Sequence, residues 1–262
     1  MMLVHEFNKV LNSFIPIGLG EMDNVRLMDR IDTKYVLSVN RIPDLLKKMD
    51  GGYKVLEINK NRFSPYLTTY LDTDDYMFFN QHVIGKPERN KVRYRKYETS
   101  GTTYLEVKKR TNKNRTIKWR IENDLTSDRK CDDKAFDFIK NYVPQKAVIL
   151  KPVLINYFKR VTFVGSEFNE RITIDYDISF SDMEGNQANL PYIAIIELKR
   201  QGFNNRSPVV NILKEYSIHS TGFSKYCVGI AIFYDLPRKN ILKAKLLMIR
   251  KIENEYYRCL NV

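Results

Sequence analysis

Apolar and polar residues alternate with a period of two over much of the chain, a pattern typical of half-buried β-strands. From this alternation and the turn residues between the runs we predict strands at residues 26–38, 53–58, 65–72, 91–99, 102–110, 115–122, 152–164, 170–179, 192–200 and 225–235. Helical patterns fill the gaps, at about residues 1–14, after Asn40, after Asp132, at about 207–217 and at about 240–257.

The order of these elements is one of antiparallel-looking strands with inserted helices, which is typical of an α+β fold. The most polar stretches, residues 85–90, 111–114 and 181–189, are short and contain Gly, Pro or Asn. They are better explained as hairpin loops than as domain boundaries. We therefore predict a single domain over residues 1–262.

Charged residues recur on one face of strand after strand, because side chains at positions i and i+2 of a strand share a face. In residues 91–97, Arg93 and Arg95 share one face, and Val92 and Tyr94 share the other. The same alternation places charged residues together at Arg30, Asp32 and Lys34, at Glu106 and Lys108, at Lys118 and Arg120, at Arg171 and Asp175, and at Glu197 and Lys199. A sheet this wide tends to curl or close. We expect a closed antiparallel β-barrel with helices packed outside and the charged face as its lumen.

An antiparallel sheet with one solvated face is the ordinary alternative for any single strand. For the whole set, the prominence of arginine and the recurrence of cations argue against it. Cations that face one another across a lumen repel unless a polyanion or fixed carboxylates lie between them. The planar guanidinium group suits phosphate, to which it donates two parallel hydrogen bonds.

Two glutamates stand among these cations, each two residues before a lysine: Glu106 and Glu197. Carboxylate oxygens are hard ligands that suit Mg²⁺ or Mn²⁺, together with phosphate oxygens and water. A cross-strand ion pair with a neighbouring arginine is the alternative, and it is the stronger rival at Glu106.

Composition supports an anionic partner, since 44 Lys and Arg stand against 31 Asp and Glu, a formal net charge of +13. A basic surface without a specific ligand is the alternative. The three cysteines are far apart and form no CxxC pair, so we expect a reducing compartment and no disulfide framework. The sequence shows no signal-peptide pattern and no apolar run of membrane-spanning length, and we expect a cytoplasmic protein without a transmembrane segment. It has no GxxxxGK[ST] loop and indicates no oligomeric state.

A series of motifs, in order, resembles the VTC domain, the polyphosphate-polymerase branch of the triphosphate tunnel metalloenzyme (CYTH-like) superfamily. The motifs are RIDTKYVL, YLDTDDY, KVRYRKY, YLEVKKR, TIKWRI, NYFKRVTF, ERITIDYDI, IIELKR and FSKYCVGI. The resemblance implies an antiparallel tunnel of about eight strands that binds a triphosphate beside a divalent metal. It also implies transfer of the γ-phosphoryl group of ATP to a polyphosphate chain. Relatives elsewhere in the superfamily hydrolyse triphosphates, cyclise ATP or act as RNA triphosphatases.

The face pattern and the resemblance together predict the site. The resemblance implies a catalytic role for Arg93, Arg95, Lys108, Arg160 and Arg171. Further phosphate-binding positions are predicted at Arg30, Lys34, Lys118, Arg120, Lys199, Ser224 and Lys225. Glu197, which matches the family's metal-binding glutamate, and Glu106 are the predicted ligands of Mg²⁺ or Mn²⁺.

The first strand departs from the ExExK pattern of the hydrolase and cyclase branches, since it carries Arg30, Asp32 and Lys34. One acid fewer and one cation more favour holding phosphate over holding a second metal. ATP-dependent polyphosphate synthesis is therefore the leading prediction, and a triphosphate hydrolase is the alternative on the same fold.

A non-enzymatic protein that binds polyanions or single-stranded nucleic acid is the alternative of another class. Bases would need aromatic faces beside the cations, but Tyr94, Trp119 and Tyr176 fall on the opposite faces of their strands. We expect these rings in the core, and nucleic acid is the weaker candidate partner.

Overall fold

One antiparallel sheet dominates the computed structural model, which describes residues 2–22, 30–49, 51–113, 115–144, 149–165, 167, 169–201 and 207–260. Its strands are β1 (Pro16–Ile17), β2 (Arg30–Ser38), β3 (Lys54–Leu56), β4 (Ser64–Asp72), β5 (Arg89–Tyr97), β6 (Thr102–Arg110), β7 (Thr116–Glu122), β8 (Lys151–Gly165), β9 (Glu170–Ser181), β10 (Gln187–Leu190) and β11 (Ile193–Gln201). The described helices are α1 (Met2–Ser13), α2 (Leu19–Met22), α3 (Ile42–Met49), α4 (Met77–Val83), α5 (Asp133–Lys140), α6 (Pro208–Glu215), α7 (Lys225–Phe233) and α8 (Lys243–Leu260). Short 3₁₀ turns at Val39–Arg41 and Lys239–Leu242 precede α3 and α8.

The main path of the sheet runs β2-β11-β9-β8-β4-β5-β6-β7, and β1, β3 and β10 attach at its sides. Neighbours along the path are antiparallel, as the strand pattern predicted. β8 is the longest strand, and it pairs with β3, β4 and β9.

The prediction of a closed barrel is wrong, because β2 and β7 end the path without pairing with each other. Residues from the segment before α7 occupy the outer edge of β2 instead. Tyr35 forms an isolated antiparallel bridge with Ser220, and the Thr221 N–H donates to the Lys34 carbonyl at 2.8 Å. At that point β2 therefore has no free backbone edge with which β7 could pair. Most residues of β7 are exposed. We call the gap between β2 and β7 the seam.

The sheet is nevertheless strongly curled. Lys108 on β6 lies close enough to Asp32 on β2 and Glu197 on β11 for both carboxylates to act on its pKa, although these strands are near opposite ends of the path. The concave face therefore forms a trough that is open along the seam.

Helices cover the convex face in two places. Helices α1, α3 and α6 pack on the outward side chains of β2, β8, β9 and β11, with Leu11, Leu46 and Leu213 among the buried contacts. Helix α5 packs on the outward side chains of β5 and β6 through Ala135 and Ile139. The period-two alternation makes these outward faces apolar.

Helix α7 lies inside the trough. Two predictions are therefore wrong: that residues 225–235 form a strand, and that helices pack only outside the sheet. The segment of α7, KYCVGIAIF, is apolar around the whole circumference, and a short apolar run of this kind does not distinguish a buried helix from a strand. The Ser224 hydroxyl caps the helix by accepting from the Cys227 N–H at 3.3 Å.

Close packing holds α7 in place. A Cβ at Gly229 would lie 2.5 Å from Leu154 Cδ2 and 2.8 Å from Phe180 Cδ1, so any larger residue would require these core side chains of β8 and β9 to move. One end of the trough is thus filled by an apolar core, and the other end remains for polar side chains.

Candidate functional site

The unfilled half of the trough is lined by inward-facing charges from neighbouring strands. The register sets Lys34 opposite Glu197 and Asp32 opposite Lys199. In the same way Arg160 lies opposite Asp175, and Arg93 lies opposite Glu106. The predicted shared faces of these strands are confirmed, and the carboxylates are interleaved with the cations.

The first cluster surrounds Glu106, which is only 1% exposed. Arg93 donates to Glu106 Oε2 from Nε at 2.7 Å and contacts it with Nη2 at 2.6 Å, and the Lys118 ammonium contacts Oε1. Burial alone would raise the pKa of Glu106, but Arg93, Arg95 and Lys118 lower it below the usual range. The structure thus contains the cross-strand ion pair given above as the alternative, and the metal role of Glu106 stays a prediction.

The second cluster surrounds Asp175, which is 3% exposed. Arg160 donates to both carboxylate oxygens, at 2.6 and 2.8 Å, and Lys225 at the start of α7 contacts the second of them. Burial would raise the pKa of Asp175, but Arg160 and Lys225 lower it to about 2. Asp175 is on the predicted charged face but is not among the predicted site residues, and its alternation with Arg171 is the sequence signal that indicates it.

The third cluster surrounds Glu197. The Lys34 ammonium lies 2.8 Å from Oε1, Lys199 contacts Oε2, and Lys199 also lies 3.4 Å from Asp32 Oδ2. Burial would raise the pKa of Glu197, but Lys199 and Lys34 hold it well below its usual range. Two carboxylates, Asp32 and Glu197, therefore share the cations of β2 and β11.

Two aromatic rings form the floor between these clusters. Tyr66 and Phe158 stack with ring centroids 5.3 Å apart. The Arg95 guanidinium lies 5.4 Å from the Tyr66 centroid, Arg160 lies 5.4 Å from both centroids, and the Lys225 ammonium lies 4.0 Å from that of Phe158. The ring faces attract the cations without neutralising them. Neither ring is among the predicted site residues, although each alternates with inward-facing positions on its strand.

Lys91 is a further inward-facing cation that sequence analysis missed, although it alternates with Arg93. Its ammonium donates to Ser224 Oγ at 3.3 Å and lies 5.9 and 5.7 Å from the ring centroids of Tyr70 and Tyr226. Burial, together with the charges of Arg93 and Lys108, lowers the pKa of Lys91 to about 7.

The remaining predicted residues are less central. Arg171 is half-buried on β9, opposite Lys199 in the register. Arg120 is exposed on β7 and lies 4.7 Å from the centroid of the Tyr104 ring. Arg30 begins β2, where its backbone pairs with Gln201; its side chain falls outside the described part of the structure.

Of the aromatic residues predicted to lie in the core, Tyr94 is fully buried, and Trp119 and Tyr176 are half-buried against it. Tyr94 is buried with the outward core of β5 and β6. The Trp119 and Tyr142 rings stack at 4.3 Å, and Tyr176 makes an edge contact with Phe7 at 4.9 Å.

Within the described ranges, no group of three or more His, Cys, Asp or Glu side chains is arranged to hold a metal ion. A metal in the trough would therefore need ligands from phosphate or water besides carboxylate. In the same part of the chain, no helix combines the length and the apolar character needed to cross a bilayer.

With this geometry in place, comparison with protein families gives one match, the VTC domain, over residues 29–234. The chain belongs to the VTC domain family. A search of curated proteins gave no match.

Solved structures with a similar arrangement are distant in sequence. A protein from Bacillus halodurans proposed to be an adenylate cyclase is 16% identical, with a TM-score of 0.47 over 79% of this chain and 100% of the other. A protein from Vibrio parahaemolyticus with the same proposed activity is 14% identical, with a TM-score of 0.45 over 75% and 95% of the two chains. HpAC1 from Hippeastrum, proposed to be an adenylyl cyclase and described as having a dominant triphosphatase activity, is 14% identical, with a TM-score of 0.46 over 80% and 99%.

Proposed function

We propose that this chain is a metal-dependent phosphotransferase that moves the γ-phosphoryl group of ATP, or of another nucleoside triphosphate, onto a polyphosphate chain in the trough. The observation that carries the proposal is the excess of cations in the polar half. Glu106, Asp175 and Glu197 are each contacted by two cations. Arg95, Lys91 and Lys108 lie beside these clusters as additional positive charge.

Mutual repulsion among these cations favours an anionic ligand. Burial lowers the pKa of Arg95, and the neighbouring guanidinium groups of Arg93 and Arg160 lower it further. Burial likewise lowers the pKa of Lys225 to about 8, with Arg160 and Arg95 adding to the effect. A chain of phosphates would supply negative charge and the acceptor oxygens that buried arginines require.

In this proposal the residues act by positioning and charge neutralisation, which are the main requirements of phosphoryl transfer. Arg93, Arg95, Lys108, Arg160 and Arg171 hold the β- and γ-phosphates. Of the remaining predicted positions, Lys34, Lys118, Arg120, Lys199, Ser224 and Lys225 line the path of the chain, and Arg30 at the start of β2 stays a prediction from the sequence. An oxygen of the acceptor phosphate forms a bond to the γ-phosphorus as the bond from that phosphorus to the β,γ-bridging oxygen breaks. The electron pair of the broken bond leaves with the nucleoside diphosphate.

The residues present fit a divalent ion at Glu197 better than at Glu106. The Glu197 carboxylate is 16% exposed, lies next to Asp32 and is held by two lysines that could contact phosphate instead. Glu106 is enclosed by Arg93 and Lys118. Mg²⁺ or Mn²⁺ held by Glu197 would neutralise negative charge on the phosphate oxygens.

Membership of the VTC domain family supports synthesis over hydrolysis in this proposal, and so does strand β2. Asp32 is the one acid among the alternating residues Arg30, Asp32 and Lys34 of this strand, and it already lies near Lys199. A second metal would therefore have few ligands on this strand.

Incubation with ATP and Mn²⁺, followed by a gel stained for polyphosphate, tests the proposal. A ladder of products is expected. Release of free phosphate without a ladder would identify a hydrolase. Absence of both, with salt-sensitive binding of an oligonucleotide, would reject an enzyme of this class.

The Glu197→Gln variant tests the metal position in the same assay. It should abolish metal-dependent turnover, because the amide loses the charge that a divalent ion requires. Glu215→Gln is the matched control, since Glu215 forms an exposed ion pair with Lys48 on the convex side. Unchanged turnover in Glu197→Gln would remove Glu197 from the metal role.

A further inference from the structure

The C-terminal helix α8 has one face on the protein and one face in solvent. Ile249 and Ile252 are buried in the apolar cluster around α7, and they hold the inner face of the helix in place. On the opposite side, at the spacing that places residues on one face of a helix, the exposed residues include Lys243, Leu247, Lys251, Tyr257 and Arg258. We call these residues the outer face of α8. They span about 22 Å along the helix axis.

The charge that α8 presents to solvent has a single sign. Its outer face carries lysine and arginine, and none of the exposed residues in the described part of the helix is Asp or Glu. The two glutamates of α8 are engaged by the body of the protein instead. Glu255 accepts from Arg41 Nη2 at 2.8 Å, and Glu253 is half-buried next to Tyr192. The outward charge of the helix is therefore positive.

Helix α5 is an internal comparison, because it also exposes a large apolar side chain. Phe136 is 41% exposed there. The exposed charges around it are of both signs, with Asp133 and Asp137 beside Lys134 and Lys140. Mixed charge of this kind is typical of a helix face that meets only water. The single sign of charge distinguishes α8 from an ordinary solvated helix.

Apolar side chains accompany the cations of α8. Leu247 is 53% exposed and Tyr257 is 47% exposed, both on the outer face. Ile241, in the 3₁₀ turn that precedes α8, is 55% exposed. Helix α4 lies next to that turn, and Ile84 at its C-terminal end is 51% exposed. Single exposed apolar residues are common, but here they occur together with an excess of cations.

An anionic membrane surface fits both properties. Lysine and arginine are attracted to the headgroups of anionic lipids, and leucine, isoleucine and tyrosine can enter the interface between headgroups and acyl chains. A basic helix with apolar side chains is typical of proteins that lie on such a surface. A second copy of this chain fits poorly, because two outer faces would bring like charges together.

We propose that the outer face of α8 docks on an anionic lipid bilayer, with Ile241 and Ile84 entering the interface beside it. The helix lies parallel to the bilayer, because its inner face stays packed on the protein. None of these residues is among those assigned to the trough, so docking does not depend on the proposed function.

Flotation of the full chain with lipid vesicles tests this proposal. The protein should bind vesicles of equal parts phosphatidylcholine and phosphatidylserine much more tightly than vesicles of phosphatidylcholine alone. The double variant Lys243→Gln with Lys251→Gln should weaken binding to the mixed vesicles roughly thirtyfold, since each basic residue near such a surface contributes about fivefold. Leu247→Gln should weaken it about tenfold, because an apolar contact with the bilayer is lost.

The matched controls are in α5. Lys134→Gln with Lys140→Gln removes the same charge, and Phe136→Gln removes a similarly exposed apolar side chain. Both controls should bind the mixed vesicles as tightly as the unmodified protein does. Equal losses in the α5 and α8 variants would overturn the proposal, and so would equal binding to the two kinds of vesicle.

Failure of the unmodified protein to bind the mixed vesicles would also overturn it. Sedimentation of the protein alone and titration with an oligonucleotide would then show whether a second copy or a nucleic acid occupies this face instead. Each of these results leaves the proposed function in place, because polyphosphate synthesis is measured without lipid. Absence of a polyphosphate ladder, with docking intact, would overturn the proposed function alone.

Discussion

The two halves of the trough are built from the same strands and the same concave face, but they differ in what fills them. In one half, inward side chains such as Val36, Ile195 and Leu154 are apolar and pack around α7. In the other half, the next inward positions are charged, and Lys34 and Glu197 follow Val36 and Ile195 in the register.

This difference shows how one sheet face can serve both stability and binding. The apolar half gains stability from burial around a helix that fits closely. The polar half holds charges whose desolvation is costly, and ion pairs offset that cost only in part. The two halves should therefore differ in how substitutions change the free energy of unfolding and the turnover.

The largest expected effect comes from removing a carboxylate from the polar half. Asp175→Asn leaves Arg160 and Lys225 without their buried counter-charge, and breaking such a pair costs roughly 3–5 kcal/mol. Urea denaturation should show this loss in the free energy of unfolding, and tripolyphosphate should restore part of it by supplying negative charge.

Asp177→Asn is the matched control, since Asp177 forms a more exposed ion pair with Lys159. Such pairs contribute about 0–1 kcal/mol. Asparagine also tolerates the positive φ of 52° at that position. Equal losses in the two variants would mean that the Asp175 cluster does not behave as a buried network.

The next effect concerns Arg95, which lies over Tyr66 and Phe158 and lacks a hydrogen-bond partner at Nε within the described residues. If it is a phosphate donor, Arg95→Gln should lower the turnover by roughly 10²–10³-fold, the usual effect of losing one preorganised donor. The free energy of unfolding should not fall, because the change removes repulsion with Arg93 and Arg160.

Turnover and unfolding of the same Arg95→Gln sample should be measured beside Arg250→Gln, an exposed arginine on α8. A parallel loss of stability and turnover would assign Arg95 to the fold rather than to the ligand.

A smaller effect is expected in the apolar half, at Gly229. Overpacking costs typically about 1–3 kcal/mol, whereas helix propensity alone favours alanine over glycine by about 1 kcal/mol. Because a Cβ here would meet Leu154 and Phe180, Gly229→Ala should be less stable than the unmodified protein. Gly20→Ala in α2, where a Cβ meets nothing within 4 Å, should be neutral or stabilising. A Gly229→Ala variant more stable than Gly20→Ala would show that α7 does not pack closely against Leu154 and Phe180.

The smallest expected effect is a pH dependence that belongs to the polar half. Desolvation inside the trough, with Arg93 as a further cause, lowers the pKa of Lys108 to about 8 in the folded protein, below its ordinary value of 10.5, although part of its side chain is exposed. Between these values the unfolded chain binds more protons, so the stability of the ligand-free protein should rise with pH from about 8 to 10.5. Affinity for tripolyphosphate should fall over the same interval, because the ammonium loses its charge.

Thermal unfolding and titration at several pH values check both trends. Lys108→Gln should flatten them, and Lys109→Gln, on the opposite face of β6, should not. Trends in the same direction for stability and affinity would contradict this account.

Much of the polar half could be predicted from the sequence, because the alternation of charged and apolar residues can be seen within each single strand. Alternation placed Arg93 and Arg95 on one face and Glu197 and Lys199 on another, and the motif order identified the family that the comparison confirmed. The individual roles of the predicted site residues remain predictions.

The apolar half could not be predicted in the same way, because α7 after Lys225 is apolar on all sides. Its sequence therefore shows no helical alternation of apolar and polar residues. The sequence predicts a strand at residues 225–235 and helices only outside the sheet, whereas the structure has helix α7 at this place, inside the trough. The outer edge of β2 pairs at Tyr35 with Ser220, a contact between residues distant in sequence that leaves no local pattern.

The seam also has a topological consequence. A closed tunnel admits a linear polymer only by threading a free end, so every binding event must begin or finish at a terminus. Under the proposed function, a trough open between β2 and β7 would receive an internal stretch of a phosphate chain from the side. Chains with both ends occupied elsewhere would then be as accessible to this protein as free ones.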